Sequence, residues 1–128
     1  RLLEDRRVFE NLSFAREALY GYQKDTNRRV ASILAFLELG RLSSRYPVQL
    51  SGGEKQKAAI ARAMMNDPAF LFADEPTGNL DAQASREIMD LFGRIHKKGT
   101  TVVVATHDIG QAKRLGHRKI VLSEGKIQ

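Results

Sequence analysis

Two short apolar runs, AFLFA at 69–73 and TTVVVA at 100–105, each end in groups able to move protons or hold a cation. Asp74-Glu75 follows the first and Thr106-His107-Asp108 the second. In open parallel sheets, ligands sit in the crevice beyond the carboxyl ends of the strands. If the two runs are neighbouring strands, a carboxylate pair and an imidazole converge there. Asp74, tight against its strand, suits a Mg²⁺ shell through water, because hard cations prefer oxygen ligands and magnesium keeps several waters. Glu75, one step further out, could orient or deprotonate a water, and His107 could donate a hydrogen bond to a phosphate as its charge develops. The tight turn PTGNLD at 76–81 brings Asp81 back toward the same rim.

A second stretch, LSGGEKQKAAIARA at 50–63, has the form of a helix start. Ser51 followed by Glu54 fits a capping box, in which hydroxyl and carboxylate satisfy backbone donors of the first turn. Gly52 and Gly53 each cost about 1 kcal/mol relative to alanine inside a helix, so local stability gives no reason for both. Close approach to the backbone does: bare N–H groups at the positive end of a helix form an anion site.

Taken one at a time these signals are ordinary. Capping boxes are common, Asp-Glu-Pro after a strand is usually a turn, and a lone histidine after a strand is more often a surface or cap residue than a catalytic one. Their value lies in the combination and in the elements that must position them. Val8, Leu12, Ala15 and Leu19 recur at helical spacing over 6–20, with Asp5 as the expected cap. Val30, Ile33, Leu34 and Leu37 predict a second helix over 26–39, stopped by Gly40. The stretch RLSSRYPVQ reads as a loop, and the helix begun at Ser51 should end near Asn66-Asp67-Pro68. The two apolar runs read as strands buried on both faces. The helical stretch between them, with Ile88, Leu91, Phe92 and Ile95 on one face, implies a parallel pair with a crossover helix. A short helix over 108–115 and a strand, turn at Glu124-Gly125 and strand complete the chain.

With 128 residues and 42% hydrophobic composition the chain can bury a real core. The absence of cysteine excludes a disulfide framework, a thiolate metal site and a cysteine nucleophile, and fits a cytosolic setting. No apolar run is long enough to span a membrane, and 1–14 lack a signal-peptide core. The net charge of +6 is scattered in pairs such as Arg6-Arg7 and Lys97-Lys98 with acids between, which speaks for a solvated surface and against nucleic acid as a partner.

The sequence LSGGEKQKAAIARAMMNDPAFLFADEPTGNLDA at 50–82 resembles the signature motif, Walker B strand and D-loop of ABC-type ATPases, and His107 falls at the family's switch histidine. RLLEDRRVFENL resembles the segment after the family's Q-loop. Together with DEPTGNLD it is most similar to the branch containing the cell-division ATPases, with the lipoprotein-releasing and macrolide-exporting ATPases close by. The resemblance implies an α/β, P-loop NTPase-like fold: a helical subdomain over 1–47 and the C-terminal half of the parallel-sheet core over 48–128. It implies ATP and Mg²⁺ as cofactors, with Asp74 as the Mg²⁺-associated carboxylate, Glu75 as general base, His107 as γ-phosphate sensor and Asp81 as the D-loop contact between domains. Ser51, Gly52, Gly53 and Glu54 would serve a nucleotide held mainly by a second nucleotide-binding domain, paired head to tail. The other implied partner is an integral membrane permease-type subunit, which would hold the protein at the inner face of the cell membrane.

The match departs at two points. Lys57 stands where many members carry arginine, keeping the charge but losing the planar guanidinium. No GxxxxGK[ST] phosphate-binding loop occurs, and the only Gly-Lys, at 125–126, is followed by Ile. The chain therefore reads as the C-terminal portion of such a domain, lacking Walker A and unsuited to bind ATP alone. The alternative readings are the ATPase of a lipoprotein-release or macrolide or peptide exporter, and an ABC-fold ATPase acting on nucleic acid.

Overall fold

In the computed structural model, which describes residues 2–114 and 118–128, the chain opens with two helices, α1 (Val8–Tyr20) and α2 (Thr26–Phe36). Two short 3₁₀ turns, Gly40–Leu42 and Pro47–Gln49, lead to α3 (Gly52–Met64). Strand β1 (Phe70–Asp74), helix α4 (Ala82–Lys97) and strand β2 (Thr101–Ala105) follow, then α5 (Ile109–Arg114) and a hairpin of β3 (Leu122–Ser123) and β4 (Lys126–Ile127). The C-terminal limit of the short helix expected over 108–115 lies outside the described residues.

Each helix end has an identifiable cause, and two differ from expectation. α1 starts after Arg7 rather than Asp5, because Glu10 reaches back to accept the Arg7 N–H at 2.7 Å. α2 ends at Phe36, four residues before Gly40. Glu38 takes the left-handed conformation (φ 59°), and the Leu39 and Glu38 N–H groups return to the Leu34 and Ala35 carbonyls. This is a Schellman arrangement built without glycine, and the side chain of Leu39 is buried beside it. α3 stops where expected, and Arg29 of α2 donates to the Met64 and Met65 carbonyls at its end while pairing with Asp67.

The core gathers Val8 and Leu12 from α1, Val30, Ile33 and Leu34 from α2, Ala58, Ile60, Ala61 and Met64 from α3, and Ile88, Leu91, Phe92 and Ile95 from α4. The apolar stripe of α4 is the one read from the sequence. Arg94, on the same helix, reaches the C-terminal end of α2, donating to the Phe36 carbonyl and pairing with Glu38 at 2.9 Å. β1 and β2 are parallel, with Phe70 opposite Thr101 and Asp74 opposite Ala105. Their burial departs from expectation. Leu71 faces the core, whereas Phe70, Phe72 and Val103 remain 59%, 74% and 44% exposed. Alternate residues point to opposite faces of a strand, and α4 packs against only one of them, so the Phe70–Phe72 stack (6.3 Å between centroids) faces solvent.

Asn11 is fully buried on α1 and secures the segment before it. Its Oδ1 accepts from the Leu3 N–H (2.8 Å), and its Nδ2 donates toward the carbonyls of Leu3, Arg6 and Arg7. Replacing it by alanine removes the acceptor of the Leu3 N–H and the side-chain donations to three carbonyls, each bond worth about 0.5–1.5 kcal/mol, so Asn11→Ala should lose roughly 2–3 kcal/mol of stability in denaturant unfolding. An unchanged midpoint would show that this clamp contributes nothing.

Candidate functional site

The parallel register delivers the ends of β1 and β2 side by side, and the ladder continues one residue past β1 through the Glu75 N–H to the Ala105 carbonyl (2.9 Å). Glu75 then turns into the left-handed region (φ 43°), a conformation that costs a non-glycine residue of order 1 kcal/mol or more and is concentrated at functional sites. The turn closes when the Gly78 N–H donates to the Glu75 carbonyl. This geometry aims the Glu75 carboxylate at the loop after β2. Its Oε1 accepts from the His107 backbone N–H at 2.8 Å and lies 2.7 Å from His107 Nδ1. Its Oε2 takes the Thr106 hydroxyl at 3.4 Å. The expected convergence of carboxylate and imidazole is therefore present. Asp74 is exposed at the last position of β1, the residue before Glu75.

The Thr106 contact was not assigned from sequence. Its signal was the Thr-x-Asp spacing, since the Thr106 hydroxyl also accepts from the Asp108 N–H at 3.0 Å, a local turn that side chains of this type favour. The His107 hydrogen bond, with its backbone N–H and the ring charge, holds the Glu75 carboxyl below the usual carboxylate range. The same carboxylate raises His107 above the ordinary imidazole value.

Among the described residues no three His, Asp or Glu side chains group as a ready metal cage. A magnesium ion that keeps its waters needs only one or two protein carboxylates together with nucleotide phosphates. Asp74 fits that modest role. Glu75 is engaged by His107.

The second cluster is built at the start of α3. Ser51 caps the helix, its Oγ accepting from the Glu54 N–H (3.2 Å), and Glu54 returns the bond to the Ser51 N–H (3.0 Å). The other Glu54 oxygen pairs with Arg41 at 2.8 Å, a partner the sequence reading missed. Donation from the Ser51 backbone, then Arg41, holds Glu54 below the ordinary carboxylate range. Lys57, one turn on, is occupied by Glu87 of α4 at 2.7 Å. The two glycines are closely approached from within the chain. A methyl group built on Gly52 would stand 3.2 Å from Leu80 Cδ2, and one on Gly53 would stand 3.1 Å from Ala84 Cβ. Asp81 has a local duty of its own, capping α4 by accepting from the Ala84 N–H at 2.8 Å.

These contacts lead to two expected outcomes. His107, raised by Glu75, keeps its share of stability below the ordinary imidazole value and loses it as pH rises through the folded value. Glu75, lowered, keeps its share above the ordinary carboxylate value and loses it as pH falls through the folded one. The pair is therefore fully formed between about pH 4.5 and 6.5. An NMR titration should place His107 above its ordinary value, and Glu75→Gln should bring it back; identical titrations would refute the pairing. For the glycines, Gly53→Ala must push against a β-carbon fixed to α4 and should destabilise by roughly 1–2 kcal/mol. Gly52→Ala meets only the end of a leucine and gains helix propensity, so it should stay within about 1 kcal/mol of the parent. Thermal unfolding of both variants decides this, and equal gains would mean that neither neighbour constrains the turn.

A model of the ABC transporter family matches residues 1–78. The cell division ATP-binding protein FtsE of Mycobacterium tuberculosis is 46% identical over 127 residues, covering 99% of this chain and 55% of that protein. FtsE of Escherichia coli K12 is 43% identical over 126 residues, covering 98% and 57%. The methionine import ATP-binding protein MetN of Lactococcus lactis is 39% identical over 137 residues, covering 98% and 37%. Among solved structures, the dimeric bacterial ABC transporter cassette MJ0796 superposes over the whole chain and 57% of its own, with a TM-score of 0.79 and 36% identity. A dimeric post-hydrolysis state of the same cassette, bound to ADP and Pi, matches equally well. The chain thus spans a little over half the length of these FtsE relatives and of this cassette, and the α/β ATPase-core fold read from its motifs is the cassette's fold. A capped Ser-Gly-Gly-Glu turn, a carboxylate–imidazole pair beyond two parallel strands and these similarities lead to one family: the chain belongs to the ABC transporter family.

Proposed function

We propose that this chain is the signature-bearing portion of an ATP-hydrolysing subunit of an ABC transporter-type complex, of the FtsE kind that serves cell division. The observation that carries the reading is the Glu75–His107 pair at the shared end of two parallel strands, with Asp74 beside it. The FtsE relatives support the sub-assignment. ATP is the substrate, and bound Mg²⁺ would neutralise charge developing on its phosphates, with Asp74 holding the ion through water.

Glu75 has one oxygen saturated by His107 and one lightly held by Thr106, so Oε2 is the atom free to orient an attacking water. While His107 stays bonded, the carboxylate is a weak base; release of the imidazole toward a phosphate raises its basicity as the water is positioned. Ser51 and the backbone of Gly52 and Gly53 present donors to a phosphate carried by a second nucleotide-binding domain, head to tail. Glu54 acts on that phosphate by holding the turn, since its own carboxylate is spent on Ser51 and Arg41. Asp81 lies at the junction of the two domains. Residues 1–47 form the helical subdomain that receives a membrane permease-type partner, and 48–128 the second half of the ATPase core. The complex sits at the inner face of the cell membrane through that partner.

Two measurements test the reading. The 128-residue chain alone should show no ATP turnover with Mg²⁺. Paired with an intact family cassette that supplies the phosphate-binding loop, it should associate in an ATP-dependent way. Glu75→Gln should leave that association intact, and in a chimera with the phosphate-binding half of a family cassette fused ahead of residue 1 it should lower turnover by about 100-fold or more. Association indifferent to ATP, or turnover untouched by Glu75→Gln, would sink the proposal.

A further inference from the structure

The Glu75 turn and the Ser51–Glu54 turn are separate clusters, and one side chain lies between them. From Glu75 the backbone closes twice, Gly78 N–H to the Glu75 carbonyl (3.2 Å) and Leu80 N–H to the Thr77 carbonyl (3.1 Å). These two turns fix where Leu80 leaves the segment. Its side chain is half-buried, packs on the hydrophobic core, and brings Cδ2 to within 3.2 Å of where a Gly52 β-carbon would be. Four residues later Ala84 makes the equivalent approach to Gly53. Ala84 is fixed twice, by its helix and by the Asp81 cap, so α4 sets the second contact rigidly. Leu80 sets the first by shape alone.

We infer that Leu80 is a positioning residue, a wedge between the Glu75 turn and the first turn of α3 that fixes where the Ser51–Glu54 backbone donors point. The pair of glycines is the socket for this wedge. Interiors pack at crystal-like density, so a displacement of the 76–80 turn is transmitted to α3 and not absorbed by free volume. Leu80 touches neither nucleotide nor water in this role. Its importance for ATP-dependent pairing rests on the function proposed above; its seating of the α3 turn does not.

The experiment has three parts. In the 128-residue chain, Leu80→Ala should speed amide exchange at Glu54 and Lys55, whose N–H groups bond Ser51, by about tenfold, leaving Phe92 and Ile95 unchanged. Leu80→Met should restore the parent rates. If Leu80→Ala unfolds the chain, a cycle with Gly52→Ala replaces it: the effect of Gly52→Ala on the unfolding equilibrium should differ by about threefold or more between the parent chain and the Leu80→Met variant. Paired with the intact cassette, Leu80→Ala should weaken ATP-dependent association about tenfold, with Leu80→Met again restoring it. Unchanged exchange at Glu54 and Lys55 in a folded Leu80→Ala chain, or strict additivity in the cycle, overturns the inference. Absence of ATP-dependent pairing in the parent chain overturns the proposed function instead and leaves the exchange result to stand.

Discussion

The register of β1 against β2 is the constraint on which the site depends. Phe70 faces Thr101 and Asp74 faces Ala105, so the residues immediately after each strand, Glu75 and Thr106-His107, emerge together. Side chains alternate along a strand, and a slip of one position would turn Leu71 outward and carry Glu75 past its imidazole partner. That register is held by α4, whose fully buried Ile88, Phe92 and Ile95 pack beneath the strands. The Glu75–His107 contact is thus set by a helix that contributes no side chain to it.

The second cluster obeys the same logic at the level of helix ends. α3 and α4 begin next to one another, each with its own cap, Ser51 in one and Asp81 in the other. Two positive helix ends so close would be unfavourable, and the carboxylates of Glu54 and Asp81 offset them. Arg41 then balances Glu54, which leaves the turn polar without presenting an uncompensated negative charge to an approaching anion.

Local signals were the legible ones. The Ser51–Glu54 box, the apolar stripe of α4 and the Glu124-Gly125 hairpin turn all follow from residue type and spacing over a few positions, and the parallel pairing from the helix-length stretch between the two strands. What escaped depended on contacts distant in sequence or on competition between near-equal choices. Gly40 was the natural stop for α2, yet the buried side chain of Leu39 makes it favourable for Glu38 to adopt the left-handed position first. The apolar letters of β1 record a preference for burial, not the presence of a layer on each face, and Phe72 is left in water. Arg41 and Ala84 carry no motif of their own, and Leu80 sits in the PTGNLD turn with no assigned part; their roles arise from where α3 and α4 meet. The glycine pair was read as a place where an anion comes close to the backbone; the neighbours that crowd it within the chain, Leu80 and Ala84, were invisible in one dimension.

The long connection between the paired strands also governs the order in which the molecule can assemble. Contacts within α1, α2 and their short turn, such as Arg16 with Asp25, close small loops. Pairing Phe70 with Thr101 closes a much larger one, and its entropy must be lost before the first ladder bond returns any energy. The α1–α2 pair therefore closes at a lower entropic cost than the sheet, whereas the contacts that tie α2 to α3 and α4, Arg29 with Asp67 and Arg94 with Glu38, span loops longer still. The Glu75 carboxylate and the His107 imidazole, far apart in the chain, meet only when the loop through α4 has closed. A chain with only its local contacts made therefore carries its capped helices without the carboxylate–imidazole pair.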